Sequence, residues 1–209
     1  MAAFSLGCIK SDQMPFEYFI IALLVGVIVL SLFVSFYDFK YRRIPNKLIL
    51  TGLLYGVLVF VSMGFFIPLN IVFKGFLFGL IGLMAGGMFL YVPYKYKQVG
   101  AGDVKLVMVF GLLLGFKGVI LSILVGAIIG GIWALGLAWR NGGLHHMWYN
   151  MKYMAKSMYL SGFKEMSWDL RSEGAVTMPY GVALSAGAVL IALQQMQIQY
   201  EKLIQLSLS

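Results

Sequence analysis

An all-α, polytopic membrane fold of about six transmembrane helices is the architecture this sequence predicts, on three observations. Of 209 residues, 61% are hydrophobic and only 11% charged, and the mean hydropathy is +0.88. A water-soluble domain of this length needs more polar residues to cover its surface. Several apolar runs approach or exceed the roughly 20 residues that cross a hydrocarbon core of about 30 Å. Finally, the loops between those runs share the basic residues unevenly, the mark of a chain oriented by positive charge on its cytoplasmic side. The net charge of +8 is accounted for in that way, and nucleic acid is not an expected partner. The single cysteine, Cys8, excludes a cysteine-rich zinc module and an intramolecular disulfide. With no internal repeat or low-complexity linker, residues 1–209 are expected to form one membrane-embedded domain.

Residues 1–15 are mixed in character and read as a short extramembrane tail ending at Pro15. The run from Glu17 to Tyr37 is long for a signal-peptide core and lacks both a strongly basic leader and a small-residue cleavage site, so it is a first span, 17–37. A basic loop follows, Asp38-Phe39-Lys40-Tyr41-Arg42-Arg43-Ile44-Pro45-Asn46-Lys47, with Pro45 restricting its backbone. The second span covers 48–67 and closes at Pro68; the third covers 71–92. Gly75, Gly79, Gly82 and Gly86 within the third are spaced for close helix packing, which in lipid must replace the missing hydrophobic drive.

The polar stretch Pro93 to Val99 leads into Gly100-Ala101-Gly102-Asp103-Val104-Lys105-Leu106. The fourth run, 104–116, has only 13 residues, about 20 Å of helix, too short to span a typical core alone. Either the bilayer is locally thin or the helix starts earlier and takes Asp103 below the interface. A fifth span covers 119–139. In the long connection 140–175, Met147, Met151, Met154 and Met158 recur at helical spacing beside Trp148 and Tyr159, with Lys152 and Lys156 elsewhere, which predicts a basic amphipathic helix on the membrane surface. His145 and His146 are adjacent but lack a third ligand, and neither a metal nor a cofactor is expected. The sixth span, 176–193, is entered through Met178-Pro179-Tyr180-Gly181, where Pro179 suits a helix start.

Six spans place twelve basic residues (Lys40, Arg42, Arg43, Lys47, Lys95, Lys97, Lys105, Arg140, Lys152, Lys156, Lys164 and Arg171) on one side, and four (Lys10, Lys74, Lys117 and Lys202) on the other. The richer side is the cytoplasmic one, so both termini are expected outside. Asp38 and Asp103, two acids that directly abut long apolar runs, then share the cytoplasmic side. Charge at a membrane boundary is costly and points to function. Two carboxylates brought close share one proton, so that one acts as general base on water while the other donates to a peptide carbonyl or leaving nitrogen. Which residue takes which role is not readable from sequence. Gly100 and Gly102 permit positive φ and leave room for an extended substrate backbone. Lys105 either orients Asp103, meets an acidic substrate group or snorkels to the interface.

These residues resemble a known family. Gly100-Ala101-Gly102-Asp103-Val104-Lys105-Leu106, the upstream Asp38 with Arg43-Ile44-Pro45-Asn46, and Met178-Pro179-Tyr180-Gly181 together resemble the type IV prepilin peptidases, membrane aspartyl proteases of the Gly-x-Gly-Asp class, over roughly residues 17–193. The resemblance implies that Asp38 and Asp103 are the catalytic pair of an aspartic endopeptidase in the inner (cytoplasmic) membrane. Its substrate is a prepilin, cut at the cytoplasmic face between a basic leader and the apolar pilin helix. Gly100, Gly102, Lys105, Pro179 and Gly181 are candidates for substrate contact. Larger members carry an additional cytoplasmic segment with paired cysteines associated with N-methylation of the product. That segment is missing from this sequence, so cleavage without methylation is expected. The compact form is most similar to Tad/Flp-pilus peptidases, with archaeal preflagellin peptidases a near alternative. Two other classes compete: a proton- or cation-coupled transporter, which would more often carry mid-membrane charges and broken helices, and a non-catalytic assembly subunit of a secretion system.

Overall fold

The computed structural model describes residues 2–96, 99–140, 152 and 180–208. Five helices make up nearly all of those residues: α1 (Ala2–Tyr41), α2 (Asn46–Met63), α3 (Leu69–Lys95), α4 (Ala101–Arg140) and α5 (Tyr180–Leu208). Each contains a segment long and apolar enough to cross a membrane, and among the described residues there is no strand. The expected surface helix with its four methionines, the two histidines, and Met178-Pro179 lie outside the described residues.

The count of five hides a sixth run. Helix α4 is interrupted at Gly115, whose φ of 72° and ψ of 179° are non-helical. This is a backbone region essentially reserved for glycine. A continuous helix would carry Gly130 about 45 Å from Ala101. Instead, Gly130 and Ala134 line the same cavity as Val99 and Leu90. Gly118 packs on Gln195 near the middle of α5, whereas Gly126 and Gly130 pack on Ala183 at its start. The chain therefore folds back at Gly115, and its two arms, 101–114 and 116–140, correspond to the fourth and fifth expected spans.

The short first arm is the centre of the bundle. Leu106, Val107, Val109, Phe110, Leu112, Leu113 and Leu114 are all buried, as in a helix enclosed on every side by protein. All but Val107 form one core with Leu24, Val27 and Val34 of α1, Ile49 and Phe60 of α2, and Ala188 and Ala192 of α5, while Val107 packs in a second cluster with Leu90, Val119, Ile123 and Leu184. The helix begins at Ala101, so Asp103 lies in its first turn, and the arm, about 21 Å long, remains shorter than a typical hydrocarbon core. Outside this core the surface is apolar, with Leu32, Phe33, Phe65, Phe66, Phe78 and Met88 exposed, the outward face that a lipid environment requires.

Glycine decides how closely α3 approaches that arm. A Cβ on Gly79 would lie 2.9 Å from the Leu112 carbonyl oxygen and one on Gly86 2.8 Å from that of Val107, while Gly82 lies directly against Gly111. Only glycine fits these three contacts, the packing role expected of the series, whereas a Cβ on Gly75 would meet only Phe60 at an ordinary 3.6 Å.

Several boundaries differ from the sequence reading. Helix α1 begins at Ala2, runs through Pro15 and continues one turn past Tyr37. Helix α2 ends at Met63 rather than 67, because Gly64 to Ile67 turn back on Val61, Ser62 and Met63 through backbone hydrogen bonds. Pro93 sits inside α3 rather than ending it, tolerable in the last turn where few backbone bonds remain to be lost. Helix α5 continues past 193 to Leu208, because its glutamines supply an inward face, with Gln195 and Gln199 lining a cavity beside Phe16 and Gly115.

Candidate active site

Asp38 does not mark the end of its helix. It sits in the last turn of α1 with 5% exposure, turned into the bundle. The start of α5 meets it there. The Val182 amide donates to Asp38 Oδ2 at 3.2 Å, and the Gly181 amide donates to the same carboxyl group. Unpaired amides and the positive end of the helix dipole make a helix N-terminus a natural seat for a carboxylate. Gly181 is what allows the approach: a Cβ at that position would stand 2.8 Å from Asp38 Oδ2 and 3.1 Å from its Cγ.

Asp103 is held by its own helix start. Gly100 precedes the first turn of α4, and its carbonyl accepts from the Asp103 and Val104 amides. The Asp103 carboxylate returns a bond, accepting from the Gly100 amide through Oδ2 at 3.1 Å. This is the return half of a capping box, the N3 carboxylate reaching back to the N-cap amide, and it fixes the half-buried side chain against the helix start.

One side chain joins these two positions. Ile44, in the turn between α1 and α2, places its Cδ1 3.1 Å from where a Gly181 Cβ would be, and its Cβ 3.3 Å from where a Gly102 Cβ would be. The turn itself is tight: the Arg42 amide donates to the Asp38 carbonyl at 2.8 Å, and Arg42 adopts a left-handed φ of 49°, a conformation costing roughly 1–2 kcal/mol for a residue with a Cβ. The two aspartate-bearing segments thus gather at one end of the bundle around Ile44. Lys105 adds a tie at the same end, its Nζ donating to Asn46 Oδ1 at 3.3 Å.

The glycines of the motif work differently from the sequence expectation. Among the described residues Gly115 is the only glycine with positive φ, so neither Gly100 nor Gly102 is needed for a left-handed backbone. The space beside them is filled by this chain's own Asp103 and Ile44. Gly181, expected to touch substrate, is in contact with Asp38, and Pro179 lies outside the described residues. Two features escaped the sequence reading. Ile44 was visible only as part of a motif. Glu17 is, after Asp38, a second buried acid, 9% exposed, with the Lys202 charge acting on it. It lies 21 residues before Asp38 along α1, about 30 Å away, so it does not belong to the pair. Among the described residues no three His, Cys, Asp or Glu side chains cluster as metal ligands.

The type IV leader peptidase family matches residues 24–135, more than half of the chain and a region that includes both Asp38 and Asp103. The chain belongs to the type IV leader peptidase family. It is accordingly a multi-pass membrane protease of the leader-peptidase kind, as the sequence resemblance implied. No curated protein matches the chain. No solved structure matches it.

Proposed function

We propose that this leader peptidase is a single-domain aspartic endopeptidase in which Asp38 and Asp103 are the catalytic pair. It removes the basic leader of type IV or Flp-type prepilins at the cytoplasmic face of the inner membrane. The observation that carries the proposal is the shared placement of the two acids. Each carboxylate accepts backbone amides at a helix start, and the two helix starts meet across Ile44. Such seating aims each carboxylate from the backbone.

The reaction that follows is a direct hydrolysis. One carboxylate takes a proton from water as the oxygen attacks the scissile carbonyl carbon, and the other, protonated, donates to the carbonyl oxygen. Collapse of the tetrahedral species breaks the C–N bond, and the proton first taken from water passes to the leaving nitrogen. The leader departs with a carboxylate and the pilin with a new amine. No covalent enzyme intermediate is needed. Backbone amides that hold Oδ2 of each residue position the acids, so little reorganisation is required when charge develops.

The basic-residue count, twelve against four, supports a cytoplasmic location for this end of the bundle. Co-expression with a prepilin tests the whole proposal, with the product analysed by intact mass in the presence of a methyl donor. The expected product lacks the leader and carries an unmethylated N-terminus. Full-length prepilin in every sample would contradict the proposal, and a product heavier by one methyl group would overturn its cleavage-only part.

A further inference from the structure

A second structural feature lies beside the aspartates. A cavity of about 330 Å³ is lined by Val99 and Leu90, by the second arm of α4 from Ile123 to Ala134, and by Tyr180, Ala183 and Leu184 of α5. Its position relative to the site is specific. Val99 immediately precedes Gly100, whose amide holds Asp103, and Tyr180 immediately precedes Gly181, which packs on Asp38. The cavity is therefore bounded by both backbone segments that seat the acids.

Its walls carry no Asp, Glu, Lys or Arg, so a basic leader would gain nothing there. The side from α4 presents Ile123, Ala127, Gly130 and Ala134, spaced by three or four residues and hence on one helical face. Of these four all but Ile123 are small, and the same arm adds Gly126, Gly131 and one large side chain, Trp133, to the wall. Gly130 is closed off by Ala183, whereas a Cβ on Gly131 would meet nothing within 4 Å. An apolar cavity of roughly 150 Å³ already accommodates a benzene ring, so this one accepts the largest apolar side chain.

We propose that this cavity is the subsite for the apolar side chain immediately following the scissile bond of the substrate. The inference rests on the peptidase reading above and adds to it a determinant of specificity: the small residues of the second α4 arm admit a bulky residue at the start of the pilin helix. A lipid tail would have no reason to lie between the two segments that hold the acids, whereas a scissile peptide must pass between them.

The test exchanges size between enzyme and substrate. The variant Gly131→Leu/Ala134→Leu is compared with the unsubstituted enzyme on two otherwise identical prepilins, one with Phe and one with Ala after the cleavage point. Folding is monitored by gel filtration and thermal melting in detergent. Filling the cavity should lower kcat/KM for the Phe substrate by about 10- to 100-fold and leave the Ala substrate within about twofold, inverting the preference. Should the double variant fail to accumulate, Gly131→Ala/Ala134→Val performs the same comparison with smaller steps. Equal losses on both substrates, or no loss on either, would overturn the subsite and leave the cavity to lipid or to packing. Absence of cleavage by the unsubstituted enzyme would instead remove the peptidase reading, and this inference with it.

Discussion

Replacing Gly181 with alanine adds one methyl group where the carboxyl group of Asp38 already sits. The added carbon would lie 2.8 Å from Oδ2, 3.1 Å from Cγ and 3.1 Å from Ile44 Cδ1. Ile44 can move its terminal methyl, but the aspartate side chain is short and anchored to a helix. The carboxylate must therefore shift away from the Val182 amide, whose bond is already 3.2 Å long. Hydrogen bonds to charged groups are worth roughly 1.5–3 kcal/mol. At a factor of ten for each 1.4 kcal/mol, kcat/KM for leader removal should fall by about 10- to 150-fold. Stability should move little, since alanine is favoured over glycine in a helix by roughly 0.8–1.0 kcal/mol, which offsets local crowding. Timed cleavage of a prepilin, with melting temperature measured on the same preparation, separates the two effects. Gly136→Ala is the control, because a Cβ there meets nothing within 4 Å. Native-rate cleavage by Gly181→Ala, or a loss matched by an equal loss of folded protein, would refute the reasoning.

Other consequences follow from the same structure. Gly115→Ala should destabilise the fold by roughly 1–3 kcal/mol, read as a lower melting temperature, because the φ of 72° penalises any Cβ even though open space surrounds it. Tyr55→Phe removes the phenol that donates to the Ala22 carbonyl at 2.6 Å; about 0.5–1.5 kcal/mol of stability should be lost with leader cleavage unchanged. Orientation is testable with the single native cysteine: a membrane-impermeant maleimide should label Cys8 in intact cells. A Cys8→Ser/Arg43→Cys protein should react only after permeabilisation, and the reverse pattern would invert the topology.

The sequence was most informative where physical constraint was strongest. Apolar runs reported the helices because a bilayer demands them, and the spacing of Gly79, Gly82 and Gly86 reported close packing because nothing larger fits against Leu112, Gly111 and Val107. Helix ends were less legible. Pro93 looks like a terminator, yet in the last turn of α3 it costs only the backbone bonds near that end; Pro15 looks like one too, yet α1 runs straight through it. The glutamines of α5 look like an exit from the membrane, yet two of them face a cavity inside the bundle. At the site, both aspartates could be found from their places beside apolar runs. Their fixing partners could not, since Asp38 and Val182 are 144 residues apart, and no local pattern reveals such a contact. The expectation of positive φ at Gly100 and Gly102 failed for a related reason: a helix start requires small residues for close approach as much as a turn requires them for backbone freedom.

The central claim is that Asp38 and Asp103 act as a pair, and single substitutions measure it most directly. Asp38→Asn and Asp103→Asn, each nearly isosteric, would be purified beside the unsubstituted protein and given the same prepilin. The account predicts that either change abolishes leader removal while melting temperature and gel-filtration profile stay close to native. Cleavage that survives either substitution in a folded protein would contradict it.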